Sequence, residues 1–502
     1  MATSSILKSS ENNTSKHNLT VQSEIPLLSR AGRESMNDND ITKALKCFKR
    51  AYIISCKMTD KSIQKACLFN LGAAYICVGK PKKALKCLIK SRTNGLEDRD
   101  GDLYFNVAAA YDEMKEHGKA VKFYERAINE YGFNELHNIA DALIKLGYCF
   151  VTIKDLPSAA HSFRLAGHSY LKIPRAEDAA MAMREAANYM IKSQHFSKTE
   201  VLQTLDSCVQ ACNKVTDTKL LGTLYNNIGL HYAELKCFTE ARKCFTESIK
   251  LCSGQQFAIR KMAVLLQNLG AVDNALYEYE KSLRCHAESA DMYGTLGERN
   301  AQGQCLCNLA FAYSQLRKYE MAEFYYHQSL DAFMDTGDLM RQWQVSEGLG
   351  ATYFCLGNHD QSIFYYKQAL TLFVKSKETS DFPRERILLK LSDAIKYKLT
   401  KQHPVSAGAS ISRTEPDQSP SNGVNDAHKS VTSQYHESRY NDDSPLSDTF
   451  EKQEESTSKC RDVSAYKWYN DNTQNMKRFQ NNPKVSDISE ELEESTHEYG
   501  VD

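Results

Sequence analysis

One short line recurs along this chain and limits what it can fold into. Asn70-Leu71-Gly72-Ala73-Ala74-Tyr75 returns as Asn106-Val107-Ala108-Ala109-Ala110-Tyr111 and as Asn227-Ile228-Gly229-Leu230-His231-Tyr232. It returns again as Asn308-Leu309-Ala310-Phe311-Ala312-Tyr313 and as Leu349-Gly350-Ala351-Thr352-Tyr353. Each copy is followed by Ala or Ser, an aromatic or Leu four residues on, and a small residue three further on. Those sets are Ala84, Leu88, Ser91; Ala120, Tyr124, Ala127; Ala241, Phe245, Ser248; Ala322, Tyr326, Ser329; and Ser362, Tyr366, Ala369. Offsets of four and three place each set on one face of a helix. The unit is therefore a pair of helices.

Extending the register finds weaker copies. Gly32 goes with Ala44, Phe48 and Ala51; Gly147 and Phe150 with Ala159, Phe163 and Ala166; Ala263 and Leu266 with Ala275, Tyr279 and Ser282. A further copy centres on Ala187 and Met190, with Leu202 and Leu205 one residue out of phase on its second helix. The total is nine units with a period near 40. All nine have Gly or Ala at the first position, so that helix is expected to face, at close approach, the small residue twelve positions later, while the bulky residues fill the space toward the next hairpin. An αα-hairpin cannot bury its apolar face alone, so neighbours must stack. Gly79-Lys80-Pro81, Gly270 and Gly357-Asn358 are expected at helix C-caps. Phe382-Pro383 followed by Ile387, Leu388, Leu391, Ile395 and Leu399 reads as a capping helix.

This pattern resembles the tetratricopeptide repeat family, whose signature is Trp-x2-Leu-Gly-x2-Tyr followed by Ala, Phe, Ala and Pro. The Leu-Gly, Tyr, Ala and Phe positions match; the Trp and the terminal Pro do not, and the longer period is similar to the Pins/LGN subgroup of scaffolds. The resemblance implies an all-α tetratricopeptide (αα-hairpin) repeat superhelix of about nine repeats with a C-terminal capping helix. It further implies that the first helix of each hairpin lines a concave groove, with the residue before the Leu-Gly pair facing it. Those residues are Asn70, Asn106, Lys145, Glu185, Asn227, Lys261 and Asn308. A side-chain amide donates and accepts at once, so repeated asparagines suit the main chain of an extended protein segment. A narrower expectation follows from tetratricopeptide co-chaperones, which hold a C-terminal carboxylate in such a groove. The matching positions here are Arg184, Asn188, Asn227 and Lys261, with Phe257 where the family has Lys. Charge-assisted bonds from Arg184 and Lys261 would hold the carboxylate.

Composition sets the remaining bounds. Residues 1–20 and 401–502 are poor in aliphatic residues and lack periodicity, so they read as a disordered N-terminus and a disordered acidic tail. They flank a repeat region at 21–380 and the capping helix at 381–400. The tail carries 11 basic and 19 acidic residues of the 63 of each sign in the chain, leaving residues 1–400 net +8 and the tail net −8. An intramolecular contact between the two is one expectation, with Ser486–Glu494 as an acidic amphipathic segment. Overall neutrality argues against nucleic acid as partner. No apolar run approaches a membrane span, and the N-terminal residues lack a signal-peptide core. Sixteen cysteines without a secretory signal place the chain in the cytoplasm, reduced. Lys80-Pro81-Lys82-Lys83 reads as a solvated turn, although it leaves a nuclear location open. No P-loop, nucleophile elbow, zinc-protease or kinase motif appears, so no enzymatic activity and no cofactor are expected. The pairs Cys305/Cys307 and Cys208/Cys212 read as buried small hydrophobes, with no metal site expected. The expected function is a protein-binding adaptor, with a chaperone-linked carboxylate clamp as the alternative.

Overall fold

A computed structural model describes residues 24–92, 100–132, 134–252, 259–378 and 381–402. The N-terminal segment and the acidic tail lie outside the described residues. The chain divides into two compact units, the first running to Lys214 and the second starting at Val215. Both are all-α, and no strand occurs among the described residues.

The first unit holds five hairpins. They are α1 (24–37) with α2 (Ile41–Ser55), α3 (Lys61–Cys77) with α4 (Pro81–Ser91), α5 (Asp100–Glu113) with α6 (His117–Glu130), α7 (Leu136–Thr152) with α8 (Leu156–Leu171), and α9 (Ala176–Ser193) with α10 (Lys198–Cys212). The second holds four. They are α11 (Thr218–Glu234) with α12 (Phe238–Cys252), α13 (Ile259–Ala275) with α14 (Tyr279–Leu296), α15 (Arg299–Gln315) with α16 (Tyr319–Thr336), and α17 (Leu339–Cys355) with α18 (His359–Lys375). A last helix, α19 (Asp381–Gln402), packs on α17 and α18. Within each unit the hairpins stack in chain order.

The small position does face the residue twelve on: a Cβ on Gly72 would lie 3.3 Å from the Ala84 carbonyl, and Ser362 Oγ donates to the Gly350 carbonyl at 2.8 Å. Its closest partner is the bulky residue sixteen positions on, within the same hairpin. A Cβ on Gly229 would lie 2.8 Å from Cε1 of Phe245, one on Gly147 2.8 Å from Phe163, and one on Gly350 2.7 Å from Tyr366. The absent side chain makes room for a ring, and the ring closes its own hairpin while also reaching the next, as expected: Phe163 stacks on Tyr189 of α9, and a Cβ on Gly348 of α17 would lie 2.7 Å from Tyr326. Phe163 and Phe245 are fully buried as a result. Each such ring contributes about 1.5–3 kcal/mol.

Three serines fix the register independently. Ser248 Oγ donates to the Gly222 carbonyl (2.6 Å), Ser289 to Ala263 (2.8 Å) and Ser329 to Gly303 (2.8 Å). In the hairpins of Gly229 and Ala310, that bond runs from nineteen residues after the small position to seven before it. The Ser289 bond therefore assigns the small position of α13 to Gly270. A Cβ on Gly270 would meet His286 Cε1 at 2.7 Å. The expected set Ala263, Ala275, Tyr279 and Ser282 is thus one heptad early, and the true one is Gly270, Ser282, His286 and Ser289. Gly270 is consequently no C-cap; it lies mid-helix, and the turn falls at Tyr277, whose φ is 60°. Gly79 (φ 69°) and Gly357 (φ 78°) do occupy left-handed turn positions as expected. Lys115, Lys154, Lys236 and Arg317 hold the same conformation at other turns, where a side chain costs about 1–2 kcal/mol relative to glycine.

The fifth hairpin departs by an insertion. Two extra residues separate its small position from its second helix, one in α9 and one in the turn, and Cys208 Sγ donates to the Ala180 carbonyl (3.2 Å) in place of the serine bond. The second-helix set is therefore Val201, Leu205 and Cys208, all buried, while Leu202 is only half-buried. A capping box of Ser197 and Glu200 starts α10.

Candidate functional site

The first helices of the hairpins carry the residues singled out in the sequence, and the fold gives them unequal access to solvent. Asn106 is fully buried, Asn70 is 3% exposed and Asn308 8%. Lys145, Arg184, Asn188, Asn227 and Lys261 are half-buried. The position two residues before the small residue faces the neighbouring hairpin closely enough to close over three of the asparagines.

In the second unit these amides belong to a buried polar layer. Asn308 Oδ1 accepts from Gln304 Nε2 (3.0 Å), and its main-chain carbonyl accepts from Asn274 Nδ2 (3.3 Å). Asn268 Nδ2 donates to Asn226 Oδ1 (3.3 Å). With Gly270 as the small residue, Asn268 and not Lys261 is the α13 counterpart of Asn70, Asn106, Asn227 and Asn308. Sequence reading missed Asn268, although an Asn-Leu-Gly line stands plainly at residues 268–270. Lys261 lies seven residues earlier and reaches Thr223 Oγ1 (3.5 Å).

The clamp positions are divided by the architecture. Arg184 and Asn188 stand in the first unit, Asn227 and Lys261 in the second, and Phe257 lies outside the described residues. Arg184 is already engaged: its guanidinium donates to Glu185 at 2.7 Å, with both side chains largely withdrawn from solvent.

Burial also perturbs two titratable groups in this layer. Asp273 is desolvated, which raises its carboxyl to about 6 despite Arg242 Nε at 3.0 Å. His286 is enclosed between α13 and α14, and burial drives its imidazole down to about 3. It therefore remains neutral, with Asn274 Nδ2 3.3 Å from its Nε2.

An aromatic assembly in the second unit escaped the sequence reading. Tyr313 stacks on Tyr325 (5.4 Å between centroids, 4° between planes) and Tyr353 on Tyr365 (5.3 Å, 5°). His327 packs edge-on against the second pair, 3.1 Å from the Tyr353 hydroxyl, which donates to Glu323 at 2.7 Å. Phe324 and Phe364 pack edge-on against Tyr325 and Tyr365 yet remain 53% and 57% exposed. The signal was present as two Phe-Tyr-Tyr triplets, 324–326 and 364–366, at equivalent repeat positions. The last Tyr of each triplet closes its hairpin, and the Phe faces water.

At the end of the second unit, Glu347 is buried beneath α19. Arg386 donates to both of its carboxylate oxygens (2.9 and 2.8 Å), and Lys390 Nζ lies 2.8 Å from Oε1. Burial opposes its charge, but Lys390 and Arg386 outweigh that and hold the carboxyl below its usual range.

No described helix is long and apolar enough to cross a membrane. Among solved structures the chain is similar to the apo form of RapI, with 13% identity over 72% of this chain and 99% of that one, at a TM-score of 0.44. It is also similar to aspartyl phosphate phosphatase F from Bacillus subtilis (12% identity, 78% and 93% coverage, TM-score 0.40) and to pilF of Pseudomonas aeruginosa (18%, 50% and 99%, 0.33). The sequence model of the tetratricopeptide repeat family matches residues 101–131, 303–332 and 347–373. Those segments coincide with hairpins whose packing is set by the same small-and-bulky spacing as the rest, and the chain is a tetratricopeptide-repeat fold.

Proposed function

We propose that this chain is a non-enzymatic, cytoplasmic protein-binding adaptor that holds a partner segment along the first helices of its hairpins. The observation that carries the reading is the set of polar side chains left half-buried on the first helices, Lys145, Arg184, Asn188, Asn227 and Lys261; a second contact is offered by the second helices α16 and α18, where Phe324 and Phe364 face solvent beside stacked tyrosines at equivalent repeat positions. Exposed aromatic rings on a rigid support are the residues that dominate protein interfaces. Preformed helices leave the ordering cost to the partner. Asn70, Asn106 and Asn308 are withdrawn from solvent, so contacts fall to the half-buried Lys145, Arg184, Asn188, Asn227 and Lys261 and to the aromatic assembly. A carboxylate clamp through Arg184 and Lys261 is the weaker reading, because Glu185 already neutralises Arg184. The acidic tail is a competitor for the same face. Among individual proteins, the runs 66–75, 220–227 and 342–350 resemble tetratricopeptide repeat protein 24, a likeness that brings no activity with it.

The test is affinity purification with the full chain, beside two variants checked for equal helicity. One carries Lys145→Ala, Asn188→Ala, Asn227→Ala and Lys261→Ala, and the other Phe324→Ser and Phe364→Ser. Proteins recovered by the wild type and lost by either variant support the adaptor reading and locate its contact. Identical recovery from all three removes it. Loss of every partner on Lys261→Ala alone would favour the clamp.

A further inference from the structure

The first unit brings together three side chains that no spacing in the sequence connects. Asp112 lies in the last turn of α5, His117 is the first residue of α6, and the turn between them carries Lys115 at φ 67°. That turn folds the imidazole back on the carboxylate, with His117 Nδ1 2.8 Å from Asp112 Oδ1. From the next hairpin α7 delivers Cys149, whose Sγ lies 3.6 Å from the same oxygen. All three ligand atoms lie within 4.8 Å of one another.

We propose that Asp112, His117 and Cys149 form a binding site for a zinc-class divalent cation. The donor set selects the ion. A thiolate and an imidazole suit zinc or cobalt and exclude magnesium and calcium, which require oxygen ligands. Zinc bonds of ordinary length set tetrahedral edges of about 3.6 Å between sulfur and oxygen and about 3.3 Å between oxygen and nitrogen. The sulfur–oxygen edge is already in place, and sulfur and nitrogen lie within 4.8 Å of each other. The oxygen–nitrogen edge opens by about half an ångström as the cation replaces the hydrogen bond. Burial grades across the site: Cys149 is 1% exposed, the His117 side chain 15% and the Asp112 side chain 38%. The soft ligand is thus anchored in the core, and the carboxylate side is open to a water as fourth ligand, the arrangement of a three-ligand site.

The proton balance is explicit. In the metal-free protein, burial first and the Asp112 charge second raise the Cys149 thiol well above its ordinary value, so it is a thiol donating to the carboxylate. Lys145 works the other way and favours the thiolate. On binding, the thiol proton leaves to solvent, the sulfur becomes the anionic ligand, and neutral His117 coordinates through Nδ1 with its proton on Nε2. Asp112 and the thiolate together cancel the charge of the cation. No redox change is involved.

The test uses the full chain, stripped by a chelator under reducing conditions and titrated with cobalt(II). A thiolate-to-cobalt charge-transfer band reports a bound cysteine directly. The expected result is one equivalent of cobalt giving that band, displacement by zinc, and loss of the band in Cys149→Ser. Asp112→Asn and His117→Gln, at partly exposed positions, should keep wild-type helicity and weaken binding at least about 100-fold, since loss of a mere supporting residue costs 10–100-fold. Absence of a charge-transfer band overturns the proposal. So does a band that survives in Cys149→Ser, which would assign the cobalt to other thiols. Unchanged affinity in well-folded Asp112→Asn and His117→Gln overturns it equally.

Discussion

His286 offers the sharpest test of the packing described here. It occupies the position that holds Phe48, Tyr124, Phe163, Phe245, Tyr326 or Tyr366 in other hairpins, over a glycine with no room for a Cβ. Burial holds its pKa at about 3, against an ordinary 6.5. A group whose folded pKa is depressed binds its proton only in the unfolded chain. For this histidine, the stability due to neutrality is fully present above about 6.5 and is lost as the pH falls toward 3. Integrating the linkage from about pH 7 to about pH 5 gives a loss of about 2 kcal/mol from this one residue. Asp273 opposes it. Its carboxyl is raised to about 6 by burial, so it releases its proton more readily on unfolding, and stability grows as the pH falls from about 6 toward 4. The wild-type curve therefore understates the histidine, and a comparison of variants isolates it. His286→Phe fills the same space and carries no charge. Urea unfolding followed by helical circular dichroism, at roughly pH 7 and roughly pH 5, should show the variant gaining about 2 kcal/mol on the wild type between the two conditions. A difference between the proteins that is the same at both pH values would refute the placement of His286 over Gly270.

Other substitutions probe the remaining packing claims. Gly229→Ala places a methyl 2.8 Å from the Phe245 ring; overpacking of about 1–3 kcal/mol exceeds a helix-propensity gain of about 1, so thermal unfolding should show a net loss. In the Phe245→Leu background that loss should shrink, and a double-mutant cycle without coupling would break the argument. Lys154→Gly, at φ 65°, should stabilise by about 1 kcal/mol, whereas Gly79→Ala, at φ 69°, should destabilise by a similar amount. Glu347→Gln leaves Arg386 and Lys390 facing a neutral amide; urea unfolding should show a loss of about 3 kcal/mol, with cleavage in α19 by limited proteolysis accelerating in parallel.

Most of the architecture was legible because one constraint repeats. A small residue that must admit a bulky side chain sixteen positions later leaves a trace that survives sequence drift, and Gly32, Gly72, Gly147, Gly229 and Gly350 all carry it. The reading failed where the ring was disguised. In α13 and α14 the ring is a histidine, and Ala263, Ala275 and Tyr279 imitate the pattern one heptad early, so Gly270 passed for a helix end. In the fifth hairpin two extra residues, one in α9 and one in the turn, moved the second helix out of phase. The candidate site was less legible for a different reason. A repeated asparagine fixes a position along a helix, but whether that position is open depends on how closely the next hairpin approaches, which no single repeat encodes. Asn106 is closed over and Asn227 is not, although both lines open on Asn and close on Tyr. The Phe-Tyr-Tyr triplets were visible as letters; that their first ring faces water follows only from the stacking of the second.

The anchoring of Glu347 also sets the smallest autonomous piece of the second unit. A version of the chain that stops after α18 removes Arg386 and Lys390 together and strips Glu347 of both cations and of the helix that covers it. It also uncovers the cluster of Trp343, Tyr366 and Phe373 on which Ile387 and Ala394 rest. Such a fragment would expose a sticky end and drive self-association, whatever its repeats contribute. Shortened forms, whether arising from processing or chosen for laboratory work, therefore have to extend past Lys390 to remain dispersed, so α19 acts as part of the last repeat's folding unit and is not an appendage to it.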